Sequence, residues 1–422
     1  MKTTKFNCVA LLILTLPVAR GEPFRTDINP ALLYYQAFLM APELSQSPAD
    51  RDYLFTTNWQ RQKLPERFGK IVAGYDSEFK LVREAAQQKA PCDWGIDMSP
   101  GPATVLPHLA RAKWVAQAAQ LRAVWDLQHG NQAEARDDLL AAFALARNVS
   151  HDGTVIGVLV QNANESIVNA TVAQNFGQFS PETLKQLVDG FDSAPARDMV
   201  ATTMMTEQLL GPDWLADKIR ELQRENPGND AKVMEAIRED ENVQGFEYYV
   251  DDEGNRGTNG WQRIFIASGG TSDGLLKLVR DLDPLYPRLA KILTLPLPEY
   301  EDQIQKFAAE IRKSQNPLVQ IVFPNPLLLR RKEFRNQAEE AMVRVAVEYK
   351  LHGESGLKSV MDPCGNGPFA FQRFVFEGVD RGFELKSAYT GLGYSCALIF
   401  VEKEGPPFNV SGSKHIGEAV KP

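Results

Sequence analysis

The residues most capable of chemistry are Gly270-Thr271-Ser272-Asp273-Gly274. The run follows a strand-like stretch, Trp261 to Ala267, and precedes a helix-like one, Leu275 to Arg280. That order is the setting of a nucleophile elbow, a tight turn that presents a serine hydroxyl at the end of a strand. A serine hydrolase also needs a histidine as base and an acid to orient it. Downstream only His352 and His415 could serve, and the region ahead lacks the succession of strands of an α/β-hydrolase sheet. The same five residues equally suit a helix N-terminus, where hydroxyl and carboxylate side chains cap free amides. A serine hydrolase at Ser272 therefore stands as an alternative, and no catalytic residue is assigned.

Other reactive-looking groups have plainer readings. Ser150, His151 and Asp152 are adjacent, whereas triads assemble from distant segments, and Asp152 suits a helix N-cap. His108 and His129 sit singly at helix ends, and the five histidines show no HExxH or other paired spacing. Asp251, Asp252, Glu253 and Asn255 lack the alternate spacing of a calcium loop and read as a solvated turn. Asp137-Asp138 and Glu339-Glu340 read as ordinary exposed helix charges. Asn148, Asn164, Asn169 and Asn409 each begin an Asn-x-Ser/Thr sequon, attributed to composition. Trp94, Trp114 and Trp125 could line a groove, but Trp114 and Trp125 fall on a helical core stripe. No metal or cofactor site is expected.

The elements that must carry these residues are mostly helical. Asn29-Pro30 starts a short helix that stops before Pro42. Ala110, Trp114, Ala118, Leu121 and Trp125 share one helix face, ended by Gly130-Asn131. A second helix carries Ala135, Leu139, Ala142 and Ala146. A third carries Ile156, Leu159, Ala163, Ile167 and Ala170, and a fourth begins at Ser180-Pro181-Glu182. A β-hairpin insert is expected near 246–267. Pro284, Pro287, Pro296 and Pro298 read as a stiff connection, and the basic cluster Arg330, Arg331, Lys332 and Arg335 as a solvated helix face. A last long helix holds Phe334, Ala338, Ala341, Val345 and Tyr349 on one side. Alternating aromatics from Phe369 to Phe376, then Phe383 and Leu385, then Cys396 to Val401, predict a three-stranded antiparallel meander. The fold class is mainly α with a small β part (α+β), irregular helical hairpins followed by a long helix and the meander. The expected divisions are a signal segment at 1–21, helical hairpins at 22–192, a helical region at 193–332, a helix-plus-meander module at 333–405 and a loose tail at 406–422.

Lys2, Lys5, the apolar run Phe6 to Val18 and Ala19-Arg20-Gly21 have the pattern of a secretory signal. The chain is expected to be exported, periplasmic or extracellular, with no membrane span in the mature chain. Export admits disulfides, so Cys364 and Cys396 could be bridged, with Cys92 a small buried hydrophobe. The net charge of -8 and the absence of a long basic tract argue against nucleic acid as a partner.

Two resemblances follow. Gly130-Asn131 through Ala135 to Ala146 resembles the second half of a tetratricopeptide motif, making 107–191 tetratricopeptide-like. Asp362-Pro363-Cys364-Gly365-Asn366-Gly367-Pro368-Phe369, then Gly382-Phe383-Glu384-Leu385-Lys386-Ser387, is similar to the globular part of the major pseudopilin of type II secretion systems, over about 340–400. That resemblance implies the helix-plus-meander fold. It does not carry the family's calcium, because Ala388 to Gly393 holds no carboxylate. The whole resembles uncharacterised exported bacterial helical proteins. The expected function is a non-enzymatic exported protein that binds another exported protein or acts as a scaffold. A cell-envelope structural component is a further alternative.

Overall fold

The computed structural model describes residues 27–42, 48–56, 59–247, 249–250, 256–323, 330–391, 396–403 and 405. The signal segment, the turn at Asp251 to Asn255, Asn409 and His415 lie outside the described residues.

Helix α1 (Pro30–Met40) starts as expected, the Asn29 side chain accepting from the Ala31 amide at 3.0 Å. It is followed by α2 (Pro48–Thr56), α3 (Phe68–Gly74) and α4 (Asp76–Ala86). The hairpin α5 (Pro107–Gln128) and α6 (Gln132–Val149) turns at Gly130, whose φ of 79° is one that glycine adopts without strain. Its helices approach through buried alanines, among them Ala112, Ala116, Ala119, Ala135, Ala142 and Ala146. Next come α7 (Val155–Gln174) and α8 (Pro181–Ser193), the latter capped by Ser180 as the sequence indicates.

The middle of the chain is α9 (Val200–Gln208), α10 (Trp214–Glu225) and α11 (Asp230–Glu239), then strands β1 (Tyr249–Val250) and β2 (Arg256–Gly257), then α12 (Gly260–Ala267) and α13 (Ser272–Arg280). The hairpin insert is therefore shorter than expected. Trp261 to Ala267 is helical, because Trp261 and Ile264 bury one helix face where a strand would alternate. The proline-rich connection instead carries α14 (Leu285–Leu293) and α15 (Leu297–Arg312), with Pro298 in a first helical turn where a missing N–H costs nothing. Helix α16 (Pro317–Val322) precedes α17 (Arg331–His352).

The meander is as expected: β3 (Ala370–Phe376), β4 (Val379–Lys386) and β5 (Ala397–Val401), antiparallel in sequence order, with Phe383 opposite Phe400. Glu377 and Gly378, at φ 52° and 76°, turn β3 into β4. The sheet packs on α17 and α7 through an aromatic cluster, Phe383 touching Tyr349, Phe371, Phe400 and Phe176 at centroid distances of 4.9 to 5.7 Å.

Two helices turn differently from the sequence expectation. On α5, Ala110 and Trp114 face solvent, and Leu109, Ala112, Val115 and Ala119 are buried instead. On α7, Ile156 and Ala163 are exposed, while Gln161, Asn162, Asn164, Glu165 and Asn169 are buried. An amphipathic helix normally buries its apolar stripe. This one buries amides and a carboxylate, so the polar groups it faces are the next question. Among the described residues, no helix is long and apolar enough to cross a membrane.

Candidate functional site

The polar face of α7 meets α17 and the segment after α8 in a buried ionic seam. Glu165 is fully enclosed, in ion contact with Arg147 and, at 2.7 Å, with Arg197. The same two arginines reach Glu340 at 2.9 and 2.6 Å, and Arg344 joins Glu340 to Asp192. Asn336 donates to the Asn162 carbonyl at 2.8 Å, and Ser166 to Glu339 at 2.7 Å. Burial raises the Glu165 pKa against the pull of Arg197 and Arg147. The Glu165 contacts are ion pairs by distance whose angles fall short of hydrogen bonds, and both amide atoms of Asn164 and of Asn169 lack a protein partner. Glu333, pushed up to about 7 by burial, accepts from the Val200 amide at 2.7 Å. The seam is closed to solvent, so its work is to join α17 to α6, α7 and α8.

The surface site lies elsewhere. A cleft of about 720 Å³ opens between α3–α4 and α5–α6. Its wall is built on Asp138, fully buried on α6 and clamped by Arg83 at 2.6 Å and Arg122 at 2.7 Å. Arg122 also reaches Asp76 and the Val72 carbonyl, lying over the Phe79 ring at 4.8 Å, and Arg83 reaches Glu134. These arginines are thereby committed to the wall. Five carboxylates (Asp76, Glu84, Asp126, Glu134 and Asp138) stand at the cleft against three basic groups, Lys80, Arg83 and Arg122. Asp126, 8% exposed, makes no ion pair with Lys or Arg among the described residues. Burial, helped by the Asp138 charge, pushes its pKa up to about 6. Beside it, the Trp125 ring rests on Gly69, whose missing side chain leaves room for the indole, and His129 stacks on it at 4.1 Å. The cleft therefore offers a carboxylate whose charge switches near pH 6 next to an aromatic edge. A second hollow, of about 850 Å³, is lined by one face of α10 whose charges already pair along the helix, Asp217 with Arg220 and Lys218 with Glu221.

Glu78, on the same helix as Asp76 and Phe79, is buried with Oε2 unpartnered. Burial pushes its pKa up to about 7, against Arg122 and Arg111. The folded state thus binds this proton more tightly than the unfolded state, whose value is near 4.5. Its contribution is fully present below about pH 4.5 and is lost as pH rises towards about 7. Glu78→Gln is expected to remove this part of the slope and to raise stability at about pH 8 by about 2 kcal/mol. Urea unfolding at about pH 5 and pH 8 checks it, and an unchanged pH dependence counts against a buried, ionising Glu78.

The residues singled out in the sequence fall as follows. Ser272 is the first residue of α13, after the Thr271 cap, and 3% exposed. Its hydroxyl pairs with Asp230 and Gln223, at 2.5 and 2.9 Å, and the segment ahead is helix, so the strand of a nucleophile elbow is not there. Ser150 bonds Gln161 and Asp198. Asp152 is not the cap of α7, a place Thr154 takes; it accepts from Thr154 and pairs with His108 at 3.1 Å. His108 is buried under Trp94 at 4.5 Å, not in solvent, and Trp94 donates to the Asn148 carbonyl, so it packs the core. Asn148, Asn164 and Asn169 are buried and closed to glycosylation. Asp138 and Glu339 are buried in ion pairs, contrary to the exposed reading. Arg330, read as part of a solvated face, is buried against the Leu295 carbonyl, and Arg331 pairs with Glu301. Cys92, Cys364 and Cys396 are free thiols, and the last two donate to the neighbouring carbonyls of Phe334 and Arg335 on α17. Among the described residues no group of three or more His, Cys, Asp or Glu could hold a metal ion.

Nothing in the sequence pointed to the cleft. Its charges come from four helices, and only the half-exposed Trp125 had been noticed, as core. The chain matches no protein-family model, no curated protein and no solved structure.

Proposed function

We propose that this is an exported, non-enzymatic binding protein whose cleft takes a basic segment of another exported protein. Asp126 carries the reading, a buried carboxylate lining an open cleft with no basic residue paired to it. A lysine or arginine of a ligand would supply the missing cation, and the Trp125 face would hold it by cation–π attraction. The surrounding carboxylate excess steers cations in and repels acidic segments. The alternative at Ser272 draws no support from its two bonded partners, an aspartate and a glutamine.

Binding of a tetralysine peptide to the full chain, measured by calorimetry, tests this. Because Asp126 gains its charge as pH rises through about 6, affinity should be higher at about pH 7.5 than at about pH 5. Asp126→Asn should weaken binding about tenfold, the loss of roughly 1.4 kcal/mol. Equal binding of tetraglutamate, or an unchanged affinity in the variant, would overturn the proposal.

A further inference from the structure

The end of β5 lies close to this cleft. Gly177, in the turn between α7 and α8, sits so near the Glu402 carbonyl that any side chain there would collide with it. Two residues further along that turn, the Ser180 amide donates to the Gln132 side chain at 2.7 Å. Gln132 opens α6, and Glu134, one of the cleft carboxylates, stands in the same helical turn. The chain therefore leaves the sheet at the end of the bundle where the cleft opens. Residues 406–422 then remain, a length that spans on the order of 55 Å when extended. They carry Lys414, His415 and Lys421 against a single acid, Glu418, with Ile416 and Val420 as apolar neighbours.

We propose that residues 406–422 are the cleft's own occupant, with Lys414 and Lys421 set against Asp126 and its neighbouring carboxylates, so that an outside basic segment must displace them. This rests on the reading of the cleft as a site for basic segments. It adds that the site is competitively covered by the same chain. Tethering is what makes a segment with only two lysines effective, because a linked ligand acts at an effective concentration of order millimolar.

Three chains are compared: the full chain, the full chain with Lys414→Glu and Lys421→Glu, and a chain ending at Gly405. Tetralysine should bind the second and third at least about tenfold more tightly than the first. A synthetic peptide of residues 406–422 should bind the shortened chain and lose that binding on Asp126→Asn. If tetralysine binds all three chains equally and the tail peptide binds none, the tail is not the occupant, while the cleft reading stands. If tetralysine binds none of the three and the tail peptide also fails, the cleft reading falls and this inference with it.

Discussion

Glu165→Ala is expected to lower folding stability by about 3–5 kcal/mol, the usual cost of stripping one partner from a buried ion pair. Arg147 and Arg197 would keep Glu340 but would face an empty, dry space where the second carboxylate had been. Glu165→Gln keeps the shape and should cost less, about 1–3 kcal/mol. Replacing Arg147, Glu165 and Arg197 together by methionine, leucine and methionine should recover much of the loss, since apolar substitutes often match a buried ionic group in stability. Urea unfolding with shared m-values measures all three. A loss below about 1 kcal/mol for the alanine variant would mean that the α7–α17 seam carries little of the fold's stability.

Phe383→Ala should cost a similar amount, about 3–5 kcal/mol, for a different reason. Phe383 is fully buried and its ring touches Phe176, Tyr349, Phe371 and Phe400, which come from the α7–α8 turn, α17, β3 and β5. Truncation opens a cavity at the one point where sheet and helices share a side chain. Amide exchange in β5 should accelerate along with the loss of stability. Unchanged protection there, with a loss under about 1 kcal/mol, would place the sheet's anchorage elsewhere.

These two sites differ in how far the sequence revealed them. Phe383 stands in an alternating aromatic pattern, and the meander around it was legible because a period of two is a local signal. The caps at Asn29 and Ser180 were legible for the same reason, each being a matter of adjacent residues. Glu165 was not. The apolar residues of α7 trace a stripe through Ile156 and Ala163, and a reader of hydrophobic periodicity buries that stripe. The structure buries the opposite side because Arg147, Arg197 and Asn336 supply partners from elements far away in sequence. The same blindness misplaced Asp138, whose two arginines come from α4 and α5. Polar residues on a helix declare an exposed face only when nothing remote claims them. Trp261 to Ala267 failed otherwise: a short apolar run does not distinguish strand from helix, and here the burial of Trp261 and Ile264 decided it.

The wide separation of the seam's partners also bears on the order in which the chain can finish itself. Glu339 and Glu340 lie 173 and 193 residues beyond the groups they meet on α7 and α6. At ribosomal speed, α7 waits roughly 10–35 s for α17 to be made. Until then its amides and Glu165 have only water to satisfy them, and the early helices cannot lock into a dry core. The last long helix thus acts as a completeness check. A chain that stops before Arg331 leaves a wet, open flank for proteases to find, and only the finished chain closes it.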